Sequence, residues 1–230
     1  TYSIIGVNED YRFIQQEIPL NLQHPNGLKG LFFNENNDPC IISGGHNTLL
    51  ILSGWRETGN AKWIPLIHVN DAVTEGGKND VKRHWHAWPL GLYQDEVSVL
   101  ILKSGSKHPG FPLPLPVDIQ IKLPVGGGED QEEFLRSMTM GKIVSTSLAD
   151  VEDDSNLMLR LEQYSIAFDR SLLKLFASLC QEALLSKANS IARLMKTDKA
   201  LFAALKIAER MEYISLAGKI AKLREALLEE

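Results

Sequence analysis

Cysteine is scarce in this sequence: Cys40 and Cys180 are the only two in 230 residues, and they form no C-x-x-C pair. That excludes a disulfide framework or a thiol-rich metal knuckle, and reads both as buried apolar residues of a cytosolic or nuclear protein. Long apolar runs are missing too. No stretch approaches the roughly 20 residues that cross a bilayer, so no membrane partner is expected. The start, Thr1 to Gly6, has no basic cluster, no cleavage site and no initiator Met, which reads as a piece of a longer chain without a signal peptide. A basic excess is lacking as well. The net charge of −5 argues against strong nucleic-acid binding, which draws on cations to neutralise phosphates.

The signatures of catalysis are absent. There is no G-x-x-x-x-G-K-S/T loop, no G-x-S-x-G elbow, no H-E-x-x-H and no G-x-G-x-x-G after a strand. No enzyme and no cofactor are therefore expected. Gly44-Gly45-His46 lies between two strand-like runs and reads as a hairpin turn, since a phosphate loop needs a helix to follow it. His84-Trp85-His86 is the one pair with ligand spacing, because residues two apart on a strand share a face; its third ligand is not identifiable. The more ordinary reading leaves both histidines packed or solvated. Trp55, Trp63, Trp85 and Trp88 read as sheet core. Glu152-Asp153-Asp154 reads as a solvated loop at a helix start.

What is present falls into two regions with different periods. Residues 1–125 carry short aliphatic and aromatic runs at 28–33, 39–43, 48–53, 63–69, 85–93, 96–103 and 117–125. Turn-forming clusters separate them. Short antiparallel strands at this spacing mean a sandwich, a barrel or propeller blades. Phe111-Pro112-Leu113-Pro114-Leu115-Pro116 predicts an extended connector, because proline donates no ladder hydrogen bond. Gly126-Gly127-Gly128 reads either as a flexible joint or as a splice replacing a longer loop. Residues 126–230 then predict helices at 131–145, 155–185 with a possible break near Ala167, 186–196, 198–211 and 215–228. Thr197-Asp198 and Ser215 are N-cap candidates. Short joints predict antiparallel neighbours in a bundle or solenoid.

Two helices carry apolar residues outside their core stripes. In 171–183, Leu172, Leu175, Phe176 and Leu179 make a core face, while Leu173 and Ala177 form a line roughly 130° away. In 198–211, Leu201, Leu205 and Ala208 make the core face, and Ala203 and Ile207 sit roughly 145° from it. Side by side, such lines of small and branched residues would form a groove for an amphipathic helix. The alternative is that both helices are buried on all sides. Lys174, Lys206 and Arg210 flank the lines, either to meet acids of a docked peptide or as ordinary solvated cations.

Several segments together resemble one family. They include Asn36-Asn37-Asp38-Pro39-Cys40-Ile41, Trp55-Arg56 followed by Trp63-Ile64-Pro65, Trp88-Pro89-Leu90 and Phe111 to Pro116. Leu172-Leu173-Lys174-Leu175-Phe176-Ala177, Lys206-Ile207-Ala208-Glu209-Arg210 and Leu223-Arg224-Glu225-Ala226 complete the series. In this order they are similar to the C-terminal region of the chromosome transmission fidelity family of replisome adaptors, and to the SepB domain of its metazoan members. The resemblance implies β + α architecture: a partial β-propeller, six-bladed in the family, and then an antiparallel helical bundle, assembled as a nuclear homotrimer. It implies an adaptor that couples the DNA polymerase alpha catalytic subunit to a GINS subunit of the replicative helicase, with further clients. Each is held through an acidic–aliphatic peptide motif. The receiving positions match Leu173, Ala177, Ala203 and Ile207, with Arg210 as a basic neighbour; Lys174 joins them on helical geometry. A six-bladed ring needs about 24 strands, more than this chain supplies.

Three rival readings stand beside it. A propeller-plus-helix scaffold of coat or nucleoporin type would use large constitutive interfaces and no groove. A nucleic-acid binder would show strong salt dependence. A metal-dependent enzyme would centre on His84 and His86.

Overall fold

A computed structural model describes all residues except 8–9, 21, 23–26, 58, 75–81, 83, 104–105, 126–127, 149–153 and 230. Gly126, Gly127, Glu152 and Asp153, singled out above, therefore lie outside the described residues. The chain divides into two compact units, the first Thr1–Pro124 and the second Val125–Leu148 with Glu152–Glu230. Each is taken by itself below.

The first unit is built from antiparallel sheets. Strands β3 (Leu28–Phe33), β4 (Pro39–Ser43), β5 (Thr48–Ser53) and β6 (Lys62–His68) form a meander in sequence order. β4 and β5 are buried along nearly their whole length, which is why they read as unbroken apolar runs and not as alternating ones. Cys40 opposes Ile51 and Ile42 opposes Leu49 across that pair. The Cys40 thiol is fully buried, and burial together with Asp38 and Glu35 pushes its pKa up to about 12. The β4–β5 hairpin turns through Gly44 and Asn47, both at positive φ, as the glycine-rich segment predicts.

The β3–β4 turn is tied by side chains. The Asn34 side-chain oxygen accepts from the backbone N–H of Asn36 and of Asp38. Asp38, 2% exposed, accepts from Trp55 Nε1 at 3.0 Å and Arg56 Nη1 at 2.7 Å. This joins the turn to the far end of the β5–β6 hairpin.

A second sheet has the order β7 (His86–Tyr93), β8 (Glu96–Leu102), β9 (Pro116–Gln120). Pro116 opens β9, an edge strand, where a missing N–H costs no ladder bond. The connector before it is exposed, with Phe111 at 99%.

Three features depart from sequence expectation. Strands β1 (Tyr2–Gly6) and β2 (Arg12–Ile18) form a hairpin that the polar residues of β2 conceal; one of these, Gln15, is buried because its amide donates to the Trp55 and Glu57 carbonyls. A short helix, α1 (Val69–Thr74), takes the last residue of the run expected at 63–69 and continues into a stretch where no element was expected. The tryptophans are not core: Trp55, Trp63 and Trp85 are half-buried, and Trp88 is exposed. Each sets its ring at the rim, against Arg56, Tyr2, Lys82 with Lys103, and His108 respectively. A large ring with a polar edge suits that boundary better than a small sheet interior. The sheets of this unit are separate and unclosed among the described residues.

The second unit holds α2 (Glu129–Leu148), α3 (Ser155–Gln181), α4 (Leu185–Ala192), α5 (Asp198–Arg210) and α6 (Ile214–Glu229). The whole is a mixed β and α chain. α3 runs unbroken through Ala167, capped by Asp154, whose carboxylate accepts from the backbone N–H of Asn156 and Leu157. Thr197 caps α5 by accepting from the N–H of Ala200. Ser215 is not a cap, because α6 already begins at Ile214. None of the described helices is long and apolar enough to cross a membrane.

The core of this unit gathers Phe168, Leu172, Phe176 and Cys180 of α3, alanines of α4, Leu201 and three alanines of α5, and Leu216 and Ile220 of α6. Ala200, Ala204 and Ala208 repeat at i, i+4 and i+8, and small residues so spaced let helices approach closely.

Candidate surface on the helical unit

The core stripes settle where the flanking apolar lines lie. On α5 the buried residues are Ala200, Leu201, Ala204 and Ala208, while Leu205 is half-buried. The stripe is thus rotated from the expected face, and Ala203 and Ile207 end up roughly 95° from its centre instead of 145°. On α3 the buried set runs from Phe168 to Cys180, with Leu175 and Leu179 half-buried. Leu173 and Ala177 lie roughly 110° from that centre. A line at right angles to a core stripe flanks the interior. Leu173, Ala177, Ala203 and Ile207 are accordingly all half-buried, and Leu173 and Ile207 also pack against the core cluster.

Hydrogen bonds between the elements show how α3 and α5 are arranged. Asp169 of α3, 4% exposed, accepts from the N–H of Lys196 at 3.0 Å, the N–H of Thr197 at 2.9 Å and the Thr197 hydroxyl at 2.5 Å. These donors stand at the start of α5. At the other end, the hydroxyl of Tyr213, just past α5, donates to the carbonyl of Cys180 near the end of α3 at 3.1 Å. The start of α5 meets the middle of α3 and its end meets the end of α3, so α3 and α5 run in the same direction, with α4 returning the chain between them. The expectation of antiparallel neighbours does not extend to this pair. The two apolar lines therefore lie on adjacent, parallel helices.

The charged neighbours differ from one another. Lys174 is exposed, but its ammonium is 2.6 Å from Glu133 and 3.9 Å from Asp130 of α2. Its pKa is raised by the hydrogen bond from Lys174 to Glu133 and by that residue's charge. Lys206 pairs with Glu209 at 2.8 Å and lies over the Phe202 ring. Arg210 is exposed and forms no ion pair among the described residues. It stands at i+7 from Ala203 and i+3 from Ile207, on the same stripe. Two further cations share these lines and were not picked out from the sequence: Arg170, three residues before Leu173, and Lys199, four before Ala203. Both are exposed. Counting back along each line by three and four would have found them.

His84 and His86 do not form a strand pair. β7 begins at His86, so His84 lies outside the strand and the premise of a shared face fails. Among the described residues no three His, Cys, Asp or Glu side chains are placed to hold a metal ion.

Comparison with known proteins adds the lineage. Residues 1–125 match the family model described as the middle region of the minichromosome loss protein Mcl1, and residues 128–230 match the C-terminal domain of the DNA polymerase alpha-binding protein Ctf4. The chain is 36% identical over 90% of its length to a Saccharomyces cerevisiae protein named DNA polymerase alpha-binding protein. It is 25% identical over 96% of its length to Minichromosome loss protein 1 of Schizosaccharomyces pombe. It spans about a quarter of those relatives, 26% and 28% of their lengths. With its two units matching adjacent regions of one lineage, the chain belongs to the Ctf4/Mcl1 family.

Proposed function

We propose that this chain is the client-binding region of a nuclear replication adaptor, and that acidic–aliphatic peptide segments dock as short helices along the lines of α3 and α5. The observation that carries this reading is the pair of half-buried apolar lines on adjacent parallel helices, with Arg210 exposed beside them and without an ion pair among the described residues. Branched Leu173 and Ile207 supply the walls, and Ala177 and Ala203 leave room between them. Lys174 contributes less, because Glu133 already answers its charge.

The name of the Saccharomyces cerevisiae relative supports DNA polymerase alpha as one client. A GINS subunit and other clients with similar motifs extend the reading, as does assembly into a homotrimer whose antiparallel sheets belong to propeller blades. Three grooves in one assembly would raise the effective concentration of each client for the others and let individually weak contacts hold. The role assigns no catalysis and no cofactor.

A second reading has its own observation. Leu173 and Ile207 touch the core cluster, which favours a scaffold whose helices are simply well packed. Fluorescence anisotropy of a labelled acidic–aliphatic peptide, titrated with the chain and with Ile207→Glu, separates the two. Saturable binding lost in a folded Ile207→Glu supports the groove. Absence of binding by folded wild type favours the scaffold.

A further inference from the structure

We propose that Arg170 and Lys199 form a second acid-recognition point, at the end of the α3–α5 surface opposite Arg210. Its occupant would be a helix with acidic residues at both ends of its aliphatic stripe. This rests on the groove reading above and specifies the ligand it takes.

The argument starts from the polar pins. Asp169 holds the N–H and hydroxyl of Thr197. The residue following Asp169 is Arg170, and Lys199 comes two residues after Thr197. The pin thus brings Arg170 and Lys199 to the same end of the helix pair, one from each helix. Helical spacing places both on the apolar lines: Arg170 at i−3 from Leu173, and Lys199 at i−4 from Ala203. Arg210 lies on the Lys199 line, three turns further along α5, about 16 Å away. The tyrosine pin at that far end keeps the helices parallel over this span.

Position and charge pairing together select these three cations: Lys142, Lys187, Arg193, Lys219 and Lys222 also form no ion pair among the described residues, but they belong to neither α3 nor α5. Lys174, Lys206 and Arg224 are each engaged by a carboxylate, from Glu133, Glu209 and Asp198 respectively. Arg170, Lys199 and Arg210 form no ion pair among the described residues and are exposed. The surface thus offers unanswered positive charge at both ends of a half-apolar track about three helical turns long. An acidic–aliphatic–acidic helix of that length is the complementary ligand. A peptide with acids at one end alone leaves one cationic point unsatisfied.

The test is anisotropy with three synthetic labelled peptides that share one aliphatic stripe. One carries aspartates at both ends, and the other two each have lysines at one end, the first or the last. Each is titrated against the 230-residue chain, Arg170→Glu/Lys199→Glu, and the neutral control Arg170→Gln/Lys199→Gln. Thermal unfolding confirms that every variant is folded. The expected result is at least tenfold weaker binding of the doubly acidic peptide by the Glu variant and a smaller loss in the Gln variant. Lysines at one end, and not the other, should restore binding to the Glu variant. Equal affinity of wild type and Glu variant for the doubly acidic peptide would overturn the proposal while leaving the groove intact. Absence of saturable binding by folded wild type would overturn the groove and this proposal with it.

Discussion

Asp169 accepts both the N–H and the hydroxyl of Thr197, the residue whose side chain caps α5. One buried carboxylate therefore fixes the start of a helix from the middle of its neighbour. Replacing it with alanine leaves the part-buried donors of Lys196 and Thr197 without their acceptor, at a cost on the order of 2 kcal/mol. The expected outcome is a lower urea midpoint, with faster amide exchange concentrated in the first two turns of α5. Unchanged exchange there would show that the cap holds without its anchor.

The flank and the core should respond differently to charge. Leu173 is half-buried, whereas Phe176 is 0% exposed at the centre of the helical core. Phe176→Glu buries an unpaired carboxylate and should unfold the unit. Leu173→Glu can turn its carboxylate outward and should keep near-native helicity by circular dichroism. Its contact with the core cluster sets an expected cost of about 1–2 kcal/mol. Loss of helicity in Leu173→Glu equal to that in Phe176→Glu would place Leu173 in the core and remove the groove.

In the sheet unit, Asp38 is the residue whose loss should cost most. Its carboxylate receives Trp55 and Arg56 at 3.0 and 2.7 Å while only 2% exposed. Asp38→Ala removes the acceptor of Trp55 Nε1 and Arg56 Nη1, while Arg56, half-buried, keeps the Asn36 carbonyl; the expected cost is about 2–3 kcal/mol. Tryptophan fluorescence during urea unfolding would report it, since Trp55 is a direct partner.

The α5–α6 contact carries a pH signature. Arg224 makes a two-pronged bond to Asp198 and holds that carboxyl below its usual 3.8. A depressed carboxylate pKa stabilises the fold above the unfolded-state value, and that contribution fades as pH falls through the lowered folded-state value. Acid titration of stability should therefore be less steep below about pH 4 in Asp198→Asn than in wild type. Both groups are partly open to solvent, so added salt should shrink the difference.

Much of the architecture was legible because it is written locally. β3, β4 and β5 follow from apolar runs bounded by turn residues, and the structure places them at the expected residues. The α5 cap at Thr197 was legible for the same reason, since it depends on a few neighbouring residues; the strand expected at 117–125 instead begins at Pro116 and ends at Gln120. The β1–β2 hairpin was not, because Gln15 is buried through hydrogen bonds to residues forty positions away. Hydropathy does not register that kind of partner.

The candidate surface divides in the same way. Sequence by itself determined that Leu173 with Ala177, and Ala203 with Ile207, form lines outside the main apolar stripes, because a helix converts spacing directly into angle. Only the tertiary structure decided that the two helices are adjacent and parallel and that the lines flank the core at about a right angle; it also pairs Lys174 while Arg210 forms no ion pair among the described residues. Those properties depend on which surfaces each helix buries and which charges packing brings within reach, and residues far apart in the chain set both.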